Sequence, residues 1–132
     1  MLRLGYPVIG VTDVPRAVAF WTAALDLVPS EELKSERWRT LEYADGSGRA
    51  LAVMHSTSPV EPYPRIHVDL FTDTAQEQRA EVRRLIGLGA QAVDWDRYPP
   101  GSDFVVLADP DGNRFCVVDL GGAQNGGEQP ET

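Results

Sequence analysis

Apolar positions along the chain fall into two successive rounds of one pattern. Leu4 to Val11 is an apolar, β-branched run closed by Thr12-Asp13. Val14, Ala17, Val18, Trp21, Ala24 and Leu25 then recur at helical spacing on one face. Asp13 is placed as N-cap, and Pro15 suits the first turn, where its missing N–H costs nothing. Pro29 predicts a helix end near Leu27. Strands are predicted over 37–43 and 49–56, joined by Asp45-Gly46-Ser47-Gly48. Residues 57–64 carry Pro59, Pro62 and Pro64 and read as a linker.

The second round opens with a strand over 65–71 and closes it with Thr72-Asp73, Asp73 serving as helix cap. The helix is polar through Gln76, Glu77, Gln78 and Arg79 and apolar at Val82, Leu85 and Ile86, with Gly87 or Gly89 as its C-terminal left-handed residue. Strands are predicted over 91–95, 104–108 and 113–120, the last two joined by Asp109-Pro110-Asp111-Gly112. Each Thr-Asp and each Asp-Gly recurs about 60 to 66 residues on, the signature of one supersecondary unit used twice. The tail 121–132 has no apolar anchor and is expected to be disordered.

The 132 residues suit one α+β domain with a real core, and 42% hydrophobic with 24% charged residues is ordinary for a globular protein. A net charge of -8 argues against nucleic acid as a partner and is compatible with a cationic small molecule. No run approaches the roughly 18 apolar residues of a membrane helix. The start Met1-Leu2-Arg3-Leu4-Gly5 shows no secretory signal, and the single Cys116 cannot form an internal disulfide. The expected location is therefore the cytoplasm, without membrane contact. Phosphate-binding glycine loops, Gly-x-Ser-x-Gly elbows and zinc-ribbon cysteines are absent.

Val11-Thr12-Asp13-Val14-Pro15-Arg16-Ala17-Val18-Ala19-Phe20-Trp21 and Leu25-Asp26-Leu27, with Leu88-Gly89-Ala90 and the run from Ala108 to Val118, resemble the vicinal oxygen chelate superfamily, which includes glyoxalase I, extradiol dioxygenases and bleomycin-resistance proteins. The resemblance spans residues 4–120, and its most specific part is the Asp-Pro-Asp-Gly-Asn hairpin followed by a strand. It implies two tandem βαβββ modules, about 4–56 and 65–120, forming a cup-shaped mixed sheet in a single domain 1–120, and a homodimer.

Metal-dependent members of that superfamily hold one divalent ion with four strand residues, typically His, Glu, His and Glu. The resemblance places these positions on Tyr6 (or Pro7), Met54 (or Val53), His67 and Cys116, so one ligand of four is retained. A His67–Cys116 pair would hold Zn²⁺ only with a third ligand, for which His55 is the spare imidazole. His55 alternates with Met54, so both cannot face the cup. The expectation is a metal-free cup, without cofactor, lined by Tyr6, Trp38, Met54, His67, Asp69, Trp95 and Cys116 and binding a small organic molecule, as in drug-sequestering members. A divalent-metal lyase, isomerase or dioxygenase is the alternative. A metal-free acid/base enzyme is another, with catalytic His67 oriented by Asp69.

Structural readings stand beside these. His67 and Asp69 share a strand face and form either a pocket wall or a hydrogen-bonded pair tying strands together, with Ile66, Val68 and Leu70 packing on a helix. Cys116 reads as a small buried hydrophobe. Trp21 belongs to the helix stripe, while Trp38 and Trp95 suit core and pocket equally. Glu31, Glu32, Glu36 and Glu42 read as a solvated face.

Overall fold

Both helices start on side-chain caps. Asp13 accepts a hydrogen bond from the Arg16 amide at 3.0 Å and opens α1 (Val14–Leu25), with a proline in its first turn. In the second helix, α2 (Ala75–Leu88), the cap is Thr74 rather than Asp73. Thr74 Oγ1 accepts from the Glu77 amide at 3.0 Å, and Glu77 Oε2 reaches back to accept from the Asp73 amide at 3.1 Å. This reciprocal box satisfies two amides, where Asp73 alone would satisfy one.

A computed structural model describes residues 1–122, so the tail expected to be disordered lies, beyond Gly122, outside the described residues. The first module contains β1 (Val8–Val11), α1, β2 (Leu27–Ser35), β3 (Trp38–Tyr43) and β4 (Arg49–His55). The second contains β5 (Asp69–Thr72), α2, β6 (Gln91–Ala92), β7 (Phe104–Ala108) and β8 (Arg114–Asp119). The chain divides into two compact units between Val60 and Glu61, inside the stretch read as a linker. Each unit holds one four-stranded mixed sheet, ordered β1-β4-β3-β2 in the first and β5-β8-β7-β6 in the second. The pairs β1–β4 and β5–β8 are parallel and the others antiparallel. This is the expected α+β, βαβββ-type architecture, with neither sheet closed into a barrel.

Several boundaries move. α1 stops at Leu25 because Asp26 turns left-handed (φ 54°) and donates its amide to Thr22 O, which frees Leu27 to begin β2. β2 has no alternating pattern of its own: Leu27 and Ser30 are buried and 31–35 are exposed. It is an edge strand, so Pro29 is tolerated there. The expected strand from Leu4 starts only at Val8, and Leu2 and Leu4 stay exposed. β5 likewise starts at Asp69 rather than Arg65, and Ile66 is 84% exposed instead of packing on a helix.

The apolar stripes are unequal. α1 buries Val14, Ala17, Phe20, Trp21 and Ala24. Of the apolar residues expected on α2, Leu85 is buried while Ile86 is 44% exposed. α2 is held in part by Gln78, whose Nε2 donates to Asp103 O (3.0 Å) and Val117 O (2.9 Å). Burying a side chain as large as Trp21 or Phe115 contributes about 3 kcal/mol each before the entropy of ordering is counted.

Candidate functional site

The second module gathers its chemistry around one rung of the β5–β8 ladder. Asp69 pairs in register with Cys116, and the Cys116 amide donates to Val68 O at 3.1 Å. His67 lies two residues before Asp69, so side-chain alternation brings both to the face that carries Cys116. His67 Nε2 and Asp69 Oδ1 are 3.0 Å apart, a hydrogen bond between half-exposed side chains. The donor atoms of His67, Asp69 and Cys116 all lie within 4.8 Å of one another. Burial pushes the Cys116 thiol up to about 12, and the adjacent Asp69 carboxylate adds to this by repelling a thiolate and accepting the thiol proton. Cys116 is therefore a neutral thiol near pH 7, packed with Val106 and Val118 as a small apolar side chain.

On the same face lies a cavity of about 450 Å³, within the range of small-molecule sites. Its apolar wall is Trp95, Phe104, Val106 and Phe115, and His67 and Cys116 also line it. The sequence expects a strand over 91–95, but β6 ends at Ala92, and the chain leaves the sheet through Pro99 and Pro100. The edge of β7 is capped instead by Tyr98, whose hydroxyl accepts from the Val106 amide at 2.8 Å. This departure turns Trp95 and Arg97 toward the cavity rather than into a ladder.

Two guanidinium groups, which residue-type reasoning passed over, complete the wall. Arg97 stacks on the Tyr63 ring, 3.6 Å from its centroid. Tyr63 in turn packs on Trp95 and donates its hydroxyl to Asp96 Oδ1 at 2.8 Å. Asp96 on the hydroxyl raises the Tyr63 phenol above its ordinary range. Arg114 donates from Nη1 to Gly112 O at 2.7 Å, while its Nε is buried without a hydrogen-bond partner. Arg114 was legible in principle, since it stands two positions before Cys116 on β8 and shares its face. Arg97 lies in a loop where no periodicity marks it.

Of the expected lining residues, the second module thus unites His67, Asp69, Trp95 and Cys116. Tyr6, Trp38 and Met54 belong to the first module. Tyr6 is half-buried ahead of β1, and Trp38 faces Met54 across the β3–β4 ladder, its indole N–H donating to Thr40 Oγ1 at 2.9 Å.

The first module also permits a test of the superfamily's metal set. Its Ala52 amide donates to Pro7 O at 3.0 Å, as the Cys116 amide does to Val68 O. Val8 pairs with Ala52 as Asp69 pairs with Cys116. The β4 counterpart of Cys116 is therefore Ala52, not Met54, and the counterpart of His67 is Tyr6. Ala52 has no donor atom, and Tyr6 is not an ordinary ligand, so the four-residue set does not fit. His55, considered above as third ligand, sits on β4 with its Nδ1 buried and unpartnered. The third donor beside His67 and Cys116 is Asp69, already engaged by both.

Residues 7–118 match the glyoxalase-like domain family. Among solved structures, a glyoxalase/bleomycin resistance protein/dioxygenase family enzyme from Burkholderia phytofirmans PsJN superposes with a TM-score of 0.69 at 18% identity, over 90% of this chain and 99% of that one. The fosfomycin resistance protein FosX from Listeria monocytogenes gives a TM-score of 0.67 at 15% identity, over 100% and 96%. A glyoxalase/bleomycin resistance protein from Albidiferax ferrireducens T118 gives 0.59 at 17% identity, over 88% and 97%. At such identities the likeness establishes the fold. No curated protein matches the sequence.

Proposed function

The chain belongs to the glyoxalase-like domain family, and on that footing we propose that it binds a small organic molecule in the cavity of its second module without a resident divalent metal. The observation that supports this most is the pairing of a roughly 450 Å³ aromatic cavity with a donor set whose members already satisfy one another. Sequestration of a drug-like compound is the use we assign, in keeping with resistance proteins that share the fold. The same reading takes the protein to be a cytoplasmic homodimer forming one functional domain over 1–120.

The test is elemental analysis of protein purified without added metal or a metal-binding tag. Thermal-shift titration with Ni²⁺, Zn²⁺, Mn²⁺ and Fe²⁺ and a compound screen read by tryptophan fluorescence go with it. The reading expects no stoichiometric metal, no stabilisation by any of the four ions, and ligands that perturb Trp95. Stoichiometric metal that disappears in His67→Ala would overturn it.

The His67–Asp69 hydrogen bond favours a second reading, a metal-free acid/base enzyme in which the carboxylate orients the imidazole. It expects His67→Ala to bind ligand normally and lose turnover. Turnover intact in that variant would remove it.

A further inference from the structure

We infer that the cavity selects a planar aromatic anion, a monocarboxylate on a flat ring system, and discriminates against cationic ligands despite the protein's net charge of -8. The inference rests on the reading that this cavity binds a small organic molecule, and it names the chemical class.

The argument is local charge against global charge. At physiological ionic strength, exposed charges farther away than about 8 Å are largely screened, so the groups on the wall govern a bound ligand. Arg97 and Arg114 are on that wall together with His67, and among the described residues no carboxylate lines it. Two nearby acids are otherwise engaged, Asp69 accepting from His67 and the Cys116 thiol and Asp96 from Tyr63, and Asp94, which also acts on Tyr63, does not line the cavity.

Neither arginine has a carboxylate partner among the described residues. Arg97 is held by the face of Tyr63 and Arg114 by Gly112 O. The Nε of Arg114 is buried without a hydrogen-bond partner, an unsatisfied donor on a charged group that borders the cavity. A guanidinium fixed by stacking and another fixed by a backbone carbonyl are preorganised cations, and Arg is the side chain suited to gripping a carboxylate with two parallel hydrogen bonds. Trp95 and Phe104 supply flat apolar surface for the rest of the molecule. A cation in the same place would meet two like charges.

The experiment is calorimetric titration of the full chain at pH 7.5 with three probes of one shape: 2-naphthoate, 2-naphthamide and protonated 2-naphthylmethylamine. The inference expects naphthoate to bind about tenfold or more tightly than the amide, the step one charge-assisted pair supplies, with the amine weakest. Arg97→Met and Arg114→Met should each lower naphthoate affinity by about tenfold and leave the amide nearly unchanged. Arg114 also ties the Gly112 turn, so Arg97→Met, at an exposed position, carries the test if Arg114→Met fails to fold, with Arg114→Lys alongside.

Equal or tighter binding of the amide or the amine would overturn the anion inference and leave the pocket reading standing. So would a naphthoate preference that survives both Met variants. Absence of heat and of any tryptophan fluorescence change with all three probes would overturn the pocket reading itself, and the inference with it.

Discussion

In the first module the Ala52 amide meets Pro7 O, and in the second the Cys116 amide meets Val68 O, so the two modules repeat one hydrogen-bonded rung. Around it the side chains diverge. The first module places Tyr6, Val8 and Ala52 where the second places His67, Asp69 and Cys116. Their helices diverge as well: α1 buries five residues including Trp21, whereas α2 buries Leu85 and ties itself down with Gln78. One backbone plan has been filled with apolar bulk in one copy and with polar, ionisable groups in the other. The rung itself imposes no chemistry; what it fixes is the direction of the side chains that alternate from it.

The largest expected difference lies in the cores. Trp21→Ala should cost about 4 kcal/mol, since Trp21 is 1% exposed and packs edge-on against Phe20. Leu85→Ala should cost about 3 kcal/mol, because the polar anchors of α2 remain. Urea unfolding of the two variants measures both losses. A Leu85→Ala loss equal to or above that of Trp21→Ala would break the contrast between a helix held by apolar bulk and one held partly by hydrogen bonds.

The two Asp-Gly turns differ next. Asp109 is fully buried, and its carboxylate accepts from the Asp111 and Asn113 amides at 3.0 and 2.9 Å and from Asn113 Nδ2 at 3.1 Å. Asp45 is exposed and accepts from the Ser47 amide. Asp109→Ala should therefore lose about 3 kcal/mol, since it removes a buried carboxylate that three part-buried donors share, and Asp45→Ala below about 1 kcal/mol. Equal losses in urea unfolding would mean that the second turn does not depend on its buried carboxylate.

Much of this was legible in sequence, for identifiable reasons. Asp13, Pro15 and the α1 stripe announce a helix because cap, first turn and periodicity agree. The Asp109-Pro110-Asp111-Gly112 turn is equally explicit. β2 was not legible as a pattern, because its outer half is exposed on an edge strand and carries no alternation. Thr74 displaced Asp73 as cap because the Glu77 bond back to the Asp73 amide favours that frame by one residue. His67 and Asp69 could be put on one strand face by alternation, and Cys116 beside them by the resemblance's last-strand position, and the β5–β8 rung brings the three together. Arg97 and Tyr63 were not legible, since their stacking joins a loop to the end of the linker. The β4 position was placed on Met54 or Val53 rather than Ala52 because register depends on where β1 begins, and Val8 is set by pairing with β4 rather than by the apolar run from Leu4.

The Cys116 rung also makes the modules differ in their response to pH. The folded thiol titrates near 12, above its ordinary 9.0, so the folded state holds this proton more tightly than the unfolded chain. Its contribution is complete below about pH 9 and is lost as pH rises from there toward 12. The difference in stability between wild type and Cys116→Ala should therefore shift against wild type across that window and stay flat from pH 6 to 8. A flat difference up to pH 11 would show that the thiol is not held protonated. As a companion measurement, alkylation of the folded protein at pH 8 should run at least about tenfold slower than that of the unfolded chain.

The smallest contrast is at the helix ends. α1 closes with Asp26 at φ 54° and α2 with Gly89 at φ 119°, both donating their amides back to the last turn. A side chain in the left-handed region carries a penalty that glycine escapes, and Asp reduces it by local hydrogen bonding. Asp26→Gly should therefore change stability by less than about 1 kcal/mol, in the stabilising direction if the left-handed strain outweighs the added freedom of the unfolded chain. Gly89→Ala should lose about 1–2 kcal/mol, because φ 119° is strained for any side chain and the new Cβ would sit 3.4 Å from Pro110 Cγ. The position of Gly89 against Pro110 couples the end of α2 to the buried Asp109 turn. Thermal unfolding of Gly89→Ala, Asp109→Ala and the double variant checks this, since contact between the two sites should make their losses non-additive by about 0.5 kcal/mol or more. Strict additivity would show that the cap and the turn are stabilised independently.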